Sequence, residues 1–425
     1  MLIIITVAVV VLIIVLAFGL KKGDKSTPAT LEFWSVYDGQ DIYSELIAAY
    51  QKENEHITIN YKKKSFAEYE DDLINALATG EGPDIFTIHN TWLPKHKGKI
   101  SPIPQAEGFL TPKTFQDTFV DVVYEDFVDG DKIYAISFYV DTLALFYNKD
   151  LFNDAGIPFP PATWDIFLDN VELLTKKDKW GNIEQSGVAM GTAENINRST
   201  DILALLMLQT GAEMTDKDYT KAMFDHAIYL EEELFSPGEN ALRFYTDFSN
   251  PIKRVYCWNR QKHYSLDAFY EGDVAMMINY SHHIDTIRNK APYLKFAVAP
   301  VPQIKDRDFD INYANYWAQT VSKGSEHPEE AWKFIIWLAQ KENVKDYLEK
   351  TKRPTSRRDL IEWQRDNPDL AIFADQALSA RSWYQADNQA IEKIFANMVE
   401  SIVLGVASIE QTIKQAAAQV TVLMR

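Results

Sequence analysis

The run Thr79–Trp92, TGEGPDIFTIHNTW, decides how this chain folds. It reads as the end of a helix, a Gly-Pro turn, a buried strand of Ile85, Phe86, Thr87 and Ile88, and then a polar and aromatic cluster of Asn90, Thr91 and Trp92. In open α/β sheets ligands gather outside the carboxyl ends of the strands, where loops carry the specificity. The segment is therefore expected to form one wall of a ligand cleft.

Working outward from it, LEFWSVYDG reads as a strand around Leu31 and Phe33 that ends in Trp34, Tyr37, Asp38 and Gly39. Ile42, Leu46, Ile47 and Tyr50 then share one face of a helix over residues 41–53. ITINYK alternates as a second strand, and Glu68 to Ala78 forms a second helix. Strand, helix, strand, helix, strand is the order of a parallel sheet covered by helices, because parallel neighbours need crossover connections. A second series begins near residue 129: an apolar strand over Leu143–Tyr147, and a helix opened by Pro160, Pro161 and Thr163 with Asp165 in its first turn. After it come a strand and polar loop in GVAMGTAENINRST, a helix from Asp201 to Gln209, and in residues 268–288 a buried strand tipped by Ser281, His282 and His283. The fold class is α/β.

The chain has 425 residues, enough for about two to three domains. Its 43 Lys and Arg stand against 61 Asp and Glu, a formal charge of -18 spread along the chain. Such a field repels nucleic acid and anionic membrane surfaces and favours a neutral or cationic ligand. The lone cysteine, Cys257, excludes an intrachain disulfide and a cysteine-based metal cage. Residues 2–20 carry no charge and only Thr6 as a polar side chain, the length and character of a helix that crosses a bilayer. Lys21 and Lys22 follow directly, without a small-residue cleavage site, and no cysteine follows for a lipid anchor. The expectation is one uncleaved N-terminal transmembrane helix, with a cleaved signal as the alternative. Lys21, Lys22 and Lys25 on its carboxyl side would by charge alone hold the body in the cytoplasm.

Leu31–Gly39, Ala78–Asn90, the block from Asp129 to Leu151 with its LFYNKDLF, AFYEGDVAMMINYSHH, the helix in residues 323–340 and SWYQADNQAIEKIFANMVESIVLG follow one another in a specific order. In these stretches, and over nearly everything after residue 30, the chain resembles the extracellular solute-binding proteins of ABC importers, the family that includes the maltose-binding protein. The resemblance implies a two-lobed, periplasmic-binding-protein-like fold of type II with a hinge and an interlobe ligand cleft. Segment 1–22 and a linker over 23–30 would precede lobe 1 (31–141 plus 295–340) and lobe 2 (142–294 plus 341–425), with crossings near Asp141, Lys295 and Lys341. It implies a monomeric receptor held at the cell membrane with its body outside the cytoplasm. That receptor would bind a sugar, an oligosaccharide or a related polar solute without a cofactor and pass it to the permease subunits of an ABC transporter, with hinge closure as the signal.

Carried over motif by motif, the resemblance places ligand contacts at Tyr37 and Asp38, at Asn90, Thr91 and Trp92, and at Asp141, which stands where the maltose-binding branch has an acidic sugar ligand. His282 falls where that branch has a stacking tryptophan, and Trp383 and Tyr384 fall on its aromatic pair; Asn197, Arg198, Asn315 and Trp317 complete the set. Aromatic planes flanked by carboxylates and amides suit a pyranose, which offers C–H faces and a belt of hydroxyls. Each aromatic is equally apt to be core, and Asp38 to cap a helix. His282, and the lack of a basic residue after Asp38, set the ligand apart from maltose.

Two other chemistries compete. A glycosidase needs two carboxylates about 5–10 Å apart across the scissile bond, a role open only to Asp38 and Asp141, and no P-loop, nucleophile elbow, zinc motif or dinucleotide fingerprint occurs. Asp306, Asp308, Asp310 and Asn312 imitate the start of a calcium loop, yet Ile311 and Trp317 stand where that loop needs Gly and a bidentate Glu. His282 and His283, taken as strand neighbours, are expected to face opposite ways and not to share a metal.

Overall fold

The computed structural model describes residues 27–230 and 232–425. The apolar run of residues 2–20 therefore lies outside the described residues, together with segment 1–22. Among the described residues no helix is long and apolar enough to cross a membrane.

In the first half, β1 (Ala29–Ser35), α1 (Gln40–Glu53), β2 (Ile57–Lys63), α2 (Phe66–Thr79) and β3 (Ile85–His89) alternate, and β1 pairs in parallel with β2 and β3. The turn into β3 depends on two glycines. Gly80 caps α2 with φ at +76°, and a Cβ on Gly82 would meet the Leu77 side chain at 2.6 Å. β1 starts at Ala29, inside the stretch expected as linker. The sheet is completed by β4 (Ile100–Ser101) and by Trp317–Ser322, which returns from far along the chain and runs antiparallel to β3. That departure from an all-parallel sheet sets Trp317 opposite His89, at the strand end.

The second sheet contains β6 (Ala144–Asn148), β7 (Lys176–Lys177), β8 (Ile183–Val188), β9 (Val274–Asn279) and β10 (Phe296–Ala299), ordered β10-β6-β9-β8-β7. Every residue of β9 is buried. Between the sheets run β5 (Asp141–Thr142), β11 (Asn312–Asn315) and β13 (Ala380–Arg381), with β11 paired to both of the others. Trp317–Ser322 is then β12. The helices that matter below are α3 (Asp121–Phe127), α4 (Ser199–Thr210), α5 (His283–Lys290), α6 (Lys341–Thr351) and α7 (Asn388–Val403).

Each sheet has its own core, and the two cores correct two of the expected crossings. The return at Lys295 falls too early, because β10 pairs with β6 and Ala299 and Val301 join the second core; the change of core comes between Tyr313 and Ala314. The crossing at Lys341 is also too early. Val344, Tyr347 and Leu348, spaced to one face of α6, pack in the first core, with Tyr347 against Tyr43 and Phe138. Burying three such side chains contributes about 1.5–3 kcal/mol each, so α6 stays with lobe 1 and the chain leaves that core after Ala380.

Candidate functional site

The two lobes meet along a seam built from the ends of β1 and β3 on one side and the starts of α4, α5 and α7 on the other. The Trp92 indole N–H donates to Asn388 Oδ1 at 3.0 Å, and Lys95 Nζ reaches Asp387 Oδ2 at 3.0 Å and Glu70 Oε1 at 3.0 Å. Gln389 donates to Glu70 Oε2 at 3.3 Å, and Lys352 reaches Asp285 at 2.9 Å. Asp387 also caps α7 by accepting from the Ala390 N–H at 3.1 Å. These bonds are few and polar, and each is worth about 0.5–1.5 kcal/mol net. Replacing both Lys95 and Asn388 by Ala removes three of these bonds and should therefore widen the ligand-free particle in small-angle X-ray scattering while lowering unfolding free energy by no more than about 4.5 kcal/mol.

Asp38 is committed within lobe 1. Its Oδ1 meets Arg353 Nη2 at 2.7 Å and its Oδ2 meets Nη1 at 3.2 Å, while the Tyr347 hydroxyl donates to Oδ2 at 2.9 Å. Arg353 lies over the Tyr139 ring at 4.4 Å. Asp141 is likewise occupied, accepting from the Thr142 N–H at 2.9 Å, the Ser281 N–H at 3.1 Å and the Ser281 hydroxyl at 2.8 Å, with His282 Nδ1 at 3.5 Å. Neither carboxylate is left free to reach across a scissile bond.

His282 and His283 begin a helix, not a strand, so the expectation that they face apart does not hold: their rings are 4.3 Å apart, and His282 stacks on Tyr280 at 6.0 Å. Burial, the His282 ring and Arg198 together push the His283 pKa down to about 3. His89, whose Nδ1 lies 2.8 Å from the Thr91 hydroxyl, is lowered to about 4 by burial, with Asn315 beside it. Asn197 donates to the Tyr264 hydroxyl at 2.9 Å and accepts from Asn279 at 3.0 Å.

Trp317 is buried in an aromatic group with Trp92 at 5.0 Å, His89 at 5.5 Å and Tyr37 at 5.8 Å. Tyr37 itself is 45% exposed and holds φ at +60°, a left-handed conformation that costs an aromatic residue about 1–3 kcal/mol. Trp383, 8% exposed, stacks on Phe395 at 5.7 Å; its indole N–H is buried with the Tyr313 hydroxyl nearby but outside hydrogen-bond geometry. Tyr384 stacks on Tyr219 at 4.4 Å with planes 9° apart.

Space along the seam falls into three parts. Asn90, Thr91, Trp383 and Tyr384 border a cavity of about 800 Å³, and Asn197 and Arg198 border another of about 380 Å³ at the start of α4. A neck of about 20 Å³ that touches Thr91, Asn315, Trp383 and Glu392 lies between them. The expected site residues thus share one seam, but Asp38 and Asp141 serve it as framework. Sequence reading missed Arg353, Asp387, Asn388 and Asp126, each distant in the chain from its partner; Asp387 and Asn388 fall inside the SWYQADNQ stretch, but nothing in the chain links them to Lys95 and Trp92.

Asp126 ties the hinge side of the seam. It accepts from Asn90 at 3.2 Å, from the Tyr316 hydroxyl at 2.6 Å and from Ser382. Burial outweighs these bonds and pushes its pKa up to about 7. Because the folded carboxyl holds its proton above the unfolded value near 4, stability is greatest at acid pH and falls as pH rises through 7. The loss from this group between pH 6 and pH 8 is about 1.4 kcal/mol. Urea midpoints across that range should show the slope, and Asp126→Asn should reduce it, the remainder coming from Glu392, whose carboxyl pKa burial also pushes up to about 7.

Among the described residues no group of three or more His, Cys, Asp or Glu is placed to hold a metal ion. Asp306, Asp308 and Asp310 are exposed, while Asn312 is buried and donates to Ser379 at 2.8 Å.

The sequence pattern of the bacterial extracellular solute-binding proteins matches residues 37–345. A binding protein of Brucella abortus is 24% identical over 395 residues, 90% of each chain. The galactooligosaccharide-binding protein of Bacillus subtilis is 22% identical over 84% of this chain and 78% of its own. Among solved structures, a cyclo/maltodextrin-binding protein complexed with maltotetraose superposes with a TM-score of 0.76 over 95% of this chain and 99% of its own, at 19% identity, a likeness of fold.

Proposed function

Because the chain belongs to the bacterial extracellular solute-binding protein family, we propose that it is the receptor of an ABC importer, binding a carbohydrate or related polar solute between its lobes and releasing it unchanged. The observation that carries this reading is the seam: two separately packed lobes held together by a few polar bonds around space bordered by tryptophan, tyrosine and amide groups. Such an arrangement can open, admit a solute and close on it without reorganising either core. The galactooligosaccharide-binding relative and the maltotetraose-bound structural neighbour support a sugar as the solute. Asp38 and Asp141, the carboxylates that the sequence offered to a hydrolase, are both committed to partners within the protein, which favours binding over hydrolysis at that pair.

The full chain in a detergent without a sugar headgroup should melt at higher temperature with its solute, since a ligand that binds only the folded state stabilises it by mass action. A thermal-shift screen against sugars, sugar acids and polyols, followed by chromatography of the bound compound, tests this. Repeated turnover of the compound would favour an enzyme, and no shift with any of them would refute the receptor. We further propose that residues 2–20 anchor the protein as a monomer with its body outside. The chain should then remain with membranes after carbonate washing, and protease added to intact cells should digest the body. Protection from that protease would place the body inside, as Lys21, Lys22 and Lys25 favour by charge alone.

A further inference from the structure

Arg198 stands apart from the other cations of the seam. Arg353, a few residues from the same cleft, is matched by Asp38 through two contacts. Arg198 is half-buried with its guanidinium 5.6 Å over the Tyr280 ring, yet its Nε is buried without a hydrogen-bond partner, and its acidic neighbours Asp201 and Glu392 act on it through space without a direct ion pair. Asp201 spends Oδ2 on the Tyr280 hydroxyl at 2.7 Å, and Glu392 lies where solvent reaches it. A guanidinium carries five N–H donors in a planar fork, and leaving one buried without an acceptor is costly. Native structures rarely keep such a group unless something absent from the protein completes it.

The surroundings point the same way. Arg198 holds φ at +62° as the residue just before α4, a strained conformation, and its charge acts through space on Tyr37 of the opposite lobe, itself at +60°. The first backbone bond of α4 runs from the Ile202 N–H to Arg198 O at 3.0 Å. The N–H groups of Ser199, Thr200 and Asp201 therefore have no acceptor inside the helix, and the helix dipole places partial positive charge there. Ser199 and Thr200 border the same cavity of about 380 Å³ as Arg198. His89 and His283 nearby are held neutral, so they can donate or accept without adding charge.

We propose that the solute carries an anionic group, a carboxylate or a phosphoester, received on the second lobe's side of the seam by the Arg198 guanidinium and the free N–H groups at the start of α4, where Lys393 borders the same cavity. This rests on the receptor reading above and adds the chemical class of the ligand. It also reverses the expectation drawn from net charge. A formal charge of -18 opposes an anion at long range, but salt screens that field within about 8–10 Å, whereas a buried fork contacts its ligand directly and gains two charge-assisted bonds.

Calorimetry on the full chain with matched pairs tests it: glucuronate against glucose, galacturonate against galactose, glucose 6-phosphate against glucose, and glycerol 3-phosphate against glycerol. At least one acid should bind tenfold or more tightly than its neutral partner, with the uronates and the phosphates separating the two sources of charge. Arg198→Gln should erase that preference, and Arg198→Lys, which keeps the charge but loses the fork, should retain part of it. Melting curves without ligand establish that each variant folds, and if Arg198→Gln does not, the lysine variant carries the comparison. Equal binding of acid and neutral partner, or a preference that survives Arg198→Gln, overturns the proposal and leaves the receptor standing. Binding of a neutral oligosaccharide with no measurable acid binding does the same, while no binding of any compound removes both.

Discussion

Asp38→Asn should lower the unfolding free energy of the ligand-free protein by about 3–5 kcal/mol, the usual cost of leaving a buried charge without its partner. The carboxylate is buried, makes two contacts to Arg353, and accepts from Tyr347. Asparagine keeps the shape but not the charge, so Arg353 would stay over Tyr139 with no anion to balance it. The pair also ties the turn after β1 to the segment after α6, so its loss should loosen the packing of Tyr347 against Tyr43. Urea unfolding of the two proteins without solute measures the effect. A change below about 1 kcal/mol, together with a large loss of solute affinity, would return Asp38 to the role of ligand contact. A second comparison separates charge from packing: Asp38→Leu combined with Arg353→Met should recover much of the stability lost in Asp38→Asn, because an apolar pair of similar volume is often as stable as a buried ion pair.

The same residue shows how far the sequence could be read. The strand ends were legible because their signals are local: apolar runs stop at polar clusters, and Gly80 and Gly82 mark the turn before β3. Such patterns placed Tyr37, Thr91 and Trp92 at strand ends, and the family resemblance added Arg198 and Trp383. What each side chain does there depends on partners far away in the chain. Asp38 finds Arg353, Trp92 finds Asn388, and Asp126 finds Tyr316 and Ser382, and no spacing rule connects these positions. The early expectation for the crossings failed for a related reason. α6 has an apolar stripe that would suit either core, and the chain alone does not say which sheet receives it. The two histidines were misread because Asn279 ends the strand before the pair, and a turn intervenes.

Trp383→Ala should cost about 3–5 kcal/mol of stability without any solute, the range for truncating a buried large aromatic. Trp383 is 8% exposed, stacks on Phe395 and belongs to the second core. The sequence left open whether it was platform or core, and its packing makes it core on one face. It also borders both the large cavity and the neck, and its buried N–H has no partner. A conservative change separates the roles that alanine confounds. Phenylalanine retains most of the packing and removes the orphaned donor, so Trp383→Phe should leave the ligand-free protein within about 1.5 kcal/mol of the parent. If the N–H is kept for the solute, the same change should weaken binding by about 0.5–1.5 kcal/mol, the net worth of one hydrogen bond. Urea midpoints without solute and calorimetric affinities with it measure the two effects independently. Full stability with lost affinity assigns the N–H to the solute, whereas unchanged affinity confines Trp383 to the core and leaves Tyr384, stacked on Tyr219 at 4.4 Å, as the aromatic face of that cavity.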